Sequence, residues 1–350
     1  MKKIGLFAVA LVVIFSSCNS GSKKSENTKL SGAGATFPAP FYSIVFKAYT
    51  KAAGNDVTYG AVGSGGGIRS LKDKTVDFGA SDVFLSDDEA KEFGVPVVHI
   101  PTTMGAVVVS YNLKGIGSMK LTSEVISEIY RGKITKWNDA KLSALNPGVA
   151  LPDKTITPVY RSDGSGTTYV FSDYMSKTDE AWKAELGSGK SLKFTVGVAA
   201  KGNPGVSGVV AETDGAIGYI GSEYALAQNI PSAQIKNAAG NFIEASTASI
   251  SAAADGEIPA DTRLMITNSA NPKAYPISTF TWIIAYKEQK YGNHTEAQAK
   301  ALVGLLNYII SKEAQDVAAK THYAPLPEAA IAKTKAIIES ITFDGKSIGK

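Results

Sequence analysis

The chain has 350 residues, 44% of them hydrophobic and 19% charged, a balance that excludes a largely disordered chain and suits a globular protein of two domains. Its formal charge of +4 comes from dispersed lysines and arginines, with no basic run and no Arg/aromatic interleaving, so nothing points to nucleic acid. A single cysteine excludes an internal disulfide.

The chain opens on Met1-Lys2-Lys3 and an apolar run over 4–15, the charged and hydrophobic regions of an export signal and too short to span a bilayer. The run ends in Phe15-Ser16-Ser17-Cys18, which resembles a bacterial lipobox with Phe15 where leucine is usual. The expectation is a signal peptide over 1–17, an acylated Cys18, and a flexible polar tether over 18–29. Losing residues 1–17 removes two lysines and lowers the formal charge to +2.

Beyond the tether, Leu30-Ser31-Gly32-Ala33-Gly34-Ala35-Thr36-Phe37-Pro38 reads as a short strand and a glycine turn. Phe41, Val45, Ala48, Tyr49 and Ala52 follow at helical spacing and stop at Gly54. Val57, Tyr59 and Ala61 alternate as a strand, and Gly63-Ser64-Gly65-Gly66-Gly67 then opens a helix at Ile68 and Leu71. Val76-Asp77-Phe78-Gly79-Ala80-Ser81-Asp82 reads as a buried strand with Asp82 at its tip. Runs 95–100 and 106–110 are β-rich, and Pro101-Thr102-Thr103-Met104-Gly105 between them suits a crossing between domains. A helix is predicted over 121–129 with Thr122 or Ser123 as cap, and a strand over 155–160 after Trp137 and the turn Asn146-Pro147-Gly148.

That strand delivers Arg161-Ser162-Asp163-Gly164-Ser165-Gly166-Thr167-Thr168, which precedes a helical pattern of Val170, Phe171, Tyr174 and Met175. A third helix start again carries a Ser/Thr-bearing glycine turn. Glycines let backbone approach an anion, and the free N–H groups and dipole of a helix's first turn favour negative charge. Arg161 adds a planar, permanently charged fork. The plainer alternative is that Ser165 only caps the helix and Arg161 pairs with Asp163 on the surface.

Further along, a helical stretch surrounds Trp182, a glycine-punctuated segment runs over 197–208, and 216–220 reads as a buried strand. Residues 238–261, rich in Ala and Ser, read as a surface excursion. A strand over 275–284, a long helix over 296–312 and another over 328–341 complete the chain. Strands alternating with helices predict an α/β architecture with largely parallel sheets, whose ligands sit outside the strands' carboxyl ends.

Taken in order, Gly32-Ala33-Gly34-Ala35-Thr36-Phe37-Pro38-Ala39-Pro40, Val76-Asp77-Phe78-Gly79-Ala80-Ser81-Asp82, Gly132-Lys133-Ile134 with Trp137-Asn138-Asp139, Asn146-Pro147-Gly148 and Asp163-Gly164-Ser165-Gly166-Thr167 closely resemble the high-affinity phosphate-binding proteins of bacterial ABC phosphate import. The resemblance runs from about Leu30 to the C-terminus and is weakest over 238–261. It implies a type II periplasmic binding-protein fold, with two α/β lobes, two crossover strands and one phosphate in the cleft. Lobe I would comprise 30–103 and 277–350, and lobe II 104–276. The implied phosphate ligands are Thr36, Phe37 through its backbone N–H, Ser64, Asp82, Arg161, Asp163, Ser165, Gly166 and Thr167, with Asp163 orienting Arg161. The implied partners are inorganic phosphate and an ABC permease with its ATPase. The chain would be a monomer outside the cytoplasmic membrane, held there by the lipid on Cys18 alone.

Phosphate at neutral pH keeps a proton, so its site needs an acceptor among the donors, and Asp82 supplies one. Sulfate has no proton to give, and two like charges ~4 Å apart cost roughly 4 kcal/mol at an effective dielectric of ~20, about a thousandfold in affinity. The best small ligands reach about 1.5 kcal/mol per heavy atom, so phosphate has a ceiling near ~7–8 kcal/mol, or micromolar affinity and slightly tighter. Another oxyanion on the same fold is the nearest alternative, with Asp82 then a helix cap. A phosphate-releasing hydrolase is the alternative from another class. Against it, neither Ser64 nor Ser165 lies in Gly-x-Ser-x-Gly, and Gly-x-x-x-x-Gly-Lys-Ser/Thr is absent. His99, His294 and His322 are scattered without metal spacing, so neither metal nor cofactor is expected.

Overall fold

The computed structural model describes residues 27–349. The predicted signal peptide and Cys18 lie outside the described residues, as does most of the predicted tether. The tether's last residue already belongs to the first strand, and Asn27 donates to Asp56 at 2.9 Å. No helix among the described residues is long and apolar enough to cross a membrane.

Two open parallel units are joined by two long central strands. The first unit is β1 (Lys29–Gly34), α1 (Ala39–Ala53), β2 (Asp56–Ala61), α2 (Ser64–Lys72), β3 (Phe78–Ser81) and α3 (Asp87–Lys91), with β2 and β3 both parallel to β1. Helix α1 forms because Phe41, Tyr42, Val45, Phe46 and Tyr49 recur on one face, which is buried. It stops at Gly54, whose left-handed φ of 73° lets its N–H reach the Thr50 carbonyl.

From there β4 (Val97–Tyr111) carries the chain across. Next come β5 (Lys120–Leu121), α4 (Ser123–Tyr130), α5 (Ala140–Leu145), β6 (Thr157–Arg161), α6 (Gly166–Thr178), α7 (Glu180–Glu185), β7 (Val198–Ala200), α8 (Gly202–Glu212), β8 (Ala216–Gly221) and α9 (Ser222–Ala227). Thr122, rather than Ser123, caps α4. In this second unit β7 and β8 are both parallel to β6. After β9 (Gln234–Lys236), β10 (Phe242–Ile243) and α10 (Thr247–Ser251), the chain returns along β11 (Ser278–Tyr286). It then closes with α11 (Glu296–Ile309), α12 (Lys312–Lys320), α13 (Glu328–Glu339) and the hairpin β12 (Thr342–Phe343) and β13 (Lys346–Ser347).

The main sheet runs β2-β1-β3-β11-β4-β8-β6-β7. Its two ends are parallel, as the sequence predicts, but β11 lies antiparallel to β3 and β4, and β4 antiparallel to β8. Three antiparallel pairings at the centre therefore correct the expectation of a largely parallel sheet: β4 and β11 run between the units in opposite directions. Pro101 has no N–H for the ladder, and the β4–β11 register slips opposite it, between Thr281 and Trp282. The slip leaves Thr102 extra, with its hydroxyl donating to the Thr281 carbonyl at 3.2 Å.

Two other readings change. Residues 238–261 are more than a surface excursion, because Ile250, Ala253, Ala254 and Ile258 are buried; their mostly small side chains allow close packing, which a scan for large apolar groups overlooks. The long C-terminal helix breaks after Ile309, where the Ser311 hydroxyl accepts from Ala314 N and starts α12 as a separate helix.

Candidate functional site

The three glycine turns, at the carboxyl ends of β1, β2 and β6, meet where the two units face each other, and Asp82 joins them from the end of β3. Thr36 and Phe37 lie in the β1–α1 turn, Ser64 opens α2, Asp82 follows β3, and Arg161 ends β6 just before Asp163, Ser165, Gly166 and Thr167. All are buried except Asp163, which is half-buried.

Gly166 has to be glycine for this to happen. A Cβ there would stand 2.5 Å from Ser64 Oγ and 2.8 Å from Asp82 N. With only hydrogens in the way, Gly166 N donates to Ser64 Oγ at 3.0 Å, and Asp82 N donates to the same oxygen at 3.4 Å. Nearby, Gly65 N donates to the Gly164 carbonyl at 2.9 Å. The turns of the two units are thus in hydrogen-bond contact.

Arg161 has its side chain 1% exposed and binds Asp163 through two bonds, Nε to Oδ1 at 2.8 Å and Nη2 to Oδ2 at 2.6 Å. Gly202 N donates to the same carboxylate at 2.9 Å. Burial opposes the Asp163 charge, but the Arg161 hydrogen bonds and charge, with the Gly202 N–H, hold its pKa below the usual value. Arg161 Nη1 is buried and donates to no group among the described residues. The fork therefore spends one edge on Asp163 and keeps a donor for something else. Ser165 does cap α6, its hydroxyl accepting from Thr168 N at 3.0 Å, so that half of the plainer reading holds; the Arg161–Asp163 pair that it placed on the surface is buried instead.

Asp82 is 1% exposed. Burial pushes its carboxyl up to about 7, against the Thr281 hydrogen bond, the Arg161 charge and the Thr167 hydrogen bond. Thr281 Oγ1 donates to Oδ1 at 2.9 Å, and Thr167 Oγ1 makes a longer bond to Oδ2 at 3.4 Å. Such a carboxyl exchanges its proton near neutral pH.

Three tyrosine hydroxyls grip successive carbonyls of the β1–α1 turn: Tyr59 on Ala35 at 2.7 Å, Tyr224 on Thr36 at 2.6 Å and Tyr323 on Phe37 at 2.6 Å. The Thr36 carbonyl and the Phe37 N–H belong to one planar trans peptide and point oppositely. Tyr224 therefore fixes which way the Phe37 N–H faces.

Sequence reasoning missed Asn203, Thr281 and Tyr224. Asn203 is fully buried and binds both Thr36 and Thr167. It lies in Gly202-Asn203-Pro204-Gly205, which reads as a turn yet forms the first turn of α8, where proline is tolerated. The spacing of Val206, Val209 and Val210 was the available signal.

Among the described residues neither serine donates to a base, as a nucleophile would need: Ser64 Oγ accepts two backbone N–H groups, and Ser165 Oγ serves as a cap. His99 is buried, accepts from Leu85 N at 3.1 Å and is depressed to about 4, chiefly by burial. His294 faces Asp77 at 3.2 Å. No group of three or more His, Cys, Asp or Glu suited to a metal occurs among the described residues.

Two α/β units linked by two crossing strands, with a polar site between them, define a solute-binding protein. The family model of the PBP superfamily domain matches residues 20–313. Within that superfamily the chain belongs to the phosphate-binding protein PstS family. It is 39% identical over 311 residues to phosphate-binding protein PstS of Xylella fastidiosa, covering 87% of this chain and 84% of that one. With the Haemophilus influenzae PstS it shares 36% over 316 residues, or 89% and 92%. Among solved structures, a phosphate-binding protein from Stenotrophomonas maltophilia matches with TM-score 0.68 at 19% identity, covering 88% of this chain and 93% of that chain. A high-affinity periplasmic phosphate-binding protein bound with phosphate matches with TM-score 0.71 at 22% identity and the same coverage. At these identities both report the fold.

Proposed function

We propose that the chain binds one inorganic phosphate between its two units, outside the cytoplasm, and delivers it to an ABC permease for import; it is a binding protein and not an enzyme. The reading adds that Cys18 carries the lipid anchor, that the chain acts as a monomer, and that 30–103 with 277–350 and 104–276 are the two lobes. Thr36, Ser64, Ser165 and Thr167 would donate through hydroxyls and Phe37 and Gly166 through N–H groups. Arg161 would supply the one cation, Asp163 would hold that cation in place, and Asp82 would accept the phosphate proton.

The observation that carries this is the pairing of two buried groups, Arg161 Nη1 with a donor to spare and Asp82 poised to exchange a proton near neutral pH. A site for fully ionised sulfate has no use for the second. Because the charges are buried, binding is expected to depend only weakly on salt.

The test is calorimetry on the chain begun after Cys18 and stripped of anion by exhaustive dialysis. One-to-one binding of phosphate, with no heat from sulfate, is the expected result. Silence with phosphate, or an equal response to sulfate, would overturn the proposal.

A further inference from the structure

The Asn203 side chain sits where the two units meet, and its amide has one possible orientation. Gly221 N, which can only donate, lies 3.0 Å from Asn203 Oδ1, so the NH2 group must face the other way. Its two hydrogens then go to Thr36 Oγ1 at 3.0 Å and Thr167 Oγ1 at 3.1 Å. The backbone N–H of Asn203 adds a second bond to Thr36 Oγ1 at 3.1 Å.

A hydroxyl has two acceptor positions and one hydrogen. Both acceptor positions of Thr36 are taken by Asn203, so its hydrogen must point elsewhere, as a donor. Thr167 has one acceptor position filled by the same amide, and its hydrogen makes only the long 3.4 Å bond to Asp82 Oδ2, which it can exchange for an anion. An oxyanion is held by hydrogens and repelled by lone pairs, and a freely rotating hydroxyl offers either. We propose that Asn203 is a positioning residue that commits the Thr36 hydroxyl, and biases the Thr167 hydroxyl, to donate, which makes Asp82 the acceptor for the ligand's own proton. Asn203 shares the second unit with Thr167 and reaches Thr36 across from the first, so the polarity of the Thr36 hydroxyl is set only when the units meet. The inference rests on the phosphate reading above.

Replacing the amide by a carboxylate reverses the logic with little change of shape. In Asn203→Asp the Gly221 contact survives, but an ionised carboxylate draws the threonine hydrogens to itself and turns lone pairs toward the anion. Asn203→Ala instead frees both hydroxyls to rotate. Phosphate affinity of the full chain in detergent, stripped of anion, is measured at pH 8 and pH 5 for wild type and both variants. Asp82, Arg161, Asp163, Glu223, Tyr219 and Tyr224 titrate or carry charge in every background, so each loss is read as a ratio to wild type at the same pH.

The expected loss for Asn203→Asp is about a hundredfold at pH 8, falling to about tenfold at pH 5 as the new carboxyl takes up a proton and can donate again. The loss for Asn203→Ala is about tenfold at both. Asn203→Asp within threefold of wild type at pH 8 overturns the inference, as do equal, pH-independent losses for the two variants, which packing alone would give. Should Asn203→Asp not fold, a double-mutant cycle decides. Asn203→Ala is expected to cost at least threefold less in a Thr36→Val background than in wild type, and equal costs overturn the inference. Failure of wild type to bind phosphate overturns the phosphate reading and this inference with it; wild-type binding with normal variants overturns the inference alone.

Discussion

Asp82 and Glu223 are both buried carboxyls pushed upward by burial, yet their surroundings give them opposite consequences. Asp82 has two hydroxyls and the charge of Arg161 to offset its burial, which leaves it near 7 and able to take a proton from a ligand. Asp82→Asn replaces a carboxyl that, once ionised, only accepts by an amide that donates at every pH. We expect phosphate to bind more weakly by one to two orders of magnitude and the bias against sulfate, about a thousandfold from charge repulsion, to collapse; competition between the two anions for the variant reads this, and an unchanged preference contradicts the acceptor role. Glu223 has less: burial outweighs its own backbone N–H and the Tyr323 hydroxyl, which act to lower its pKa. Neither of its oxygens has a hydrogen-bond partner of good geometry, and the neighbouring Tyr323 hydroxyl is spent on the Phe37 carbonyl. Burial, with the Asp82 charge as a lesser cause in the same direction, holds its pKa well above 4.5. An unfolded chain loses this proton near pH 4.5 while the folded one keeps it, so the folded state binds more protons and stability falls as pH rises above 4.5. Glu223→Gln removes that slope. Its melting temperature is expected to match wild type near pH 4.5 and to exceed it increasingly toward pH 8, and a constant difference across that range refutes the neutral carboxyl.

At the scale of elements, what the sequence revealed was local chemistry, and what it concealed was long-range. The turn from Arg161 to Thr168 was legible because Ser165 caps the helix it precedes and the glycines lie beside it, all within one turn of chain. The first helix was legible because its buried face repeats at 3.6 residues and its glycine stop is local. Asn203, Thr281 and Tyr224 were not legible, because each acts on a group 167, 199 or 188 residues away and nothing beside it marks the role. The antiparallel centre of the sheet was hidden for a related reason: β4 and β11 are buried almost throughout, and a strand buried on both faces does not say in which direction its neighbour travels. The segment over 238–261 failed on a different physical ground, since alanine faces pack closely without the bulky side chains that betray a core.

Across the whole molecule, the contacts between the units at the site are hydrogen bonds and charges rather than an apolar seam, which suits units that must part to release a ligand. Most of them involve the site itself. Two ion pairs to α3 do not: Arg263 reaches Asp87 at 2.7 Å, and Lys190, on the loop after α7, forms a short pair with Glu89, at side-chain exposures of 21% and 37%. The Lys190 carbonyl also accepts Ser165 N at 2.8 Å, so one residue joins the Arg161–Thr168 turn of the second unit to the outer helix of the first. Glu89 is held in turn by its capping box with Ser86, and although burial opposes its charge, Lys190 and Ser86 lower its pKa. A partly exposed pair of this kind contributes roughly 0.2–1 kcal/mol, too little to decide whether phosphate binds but enough to slow its departure. The pair forms only when the units meet, after encounter, so its loss falls on dissociation rather than association. Lys190→Ala keeps the backbone carbonyl bond and removes only the charge. Stopped-flow displacement of phosphate is expected to give a dissociation rate up to about fivefold faster, with association changed less than twofold. Raising salt should narrow the gap between wild type and variant, because screening weakens the wild-type pair alone. An association rate that falls while dissociation stays fixed would instead place Lys190 in the capture of the incoming anion and remove it from the closed state.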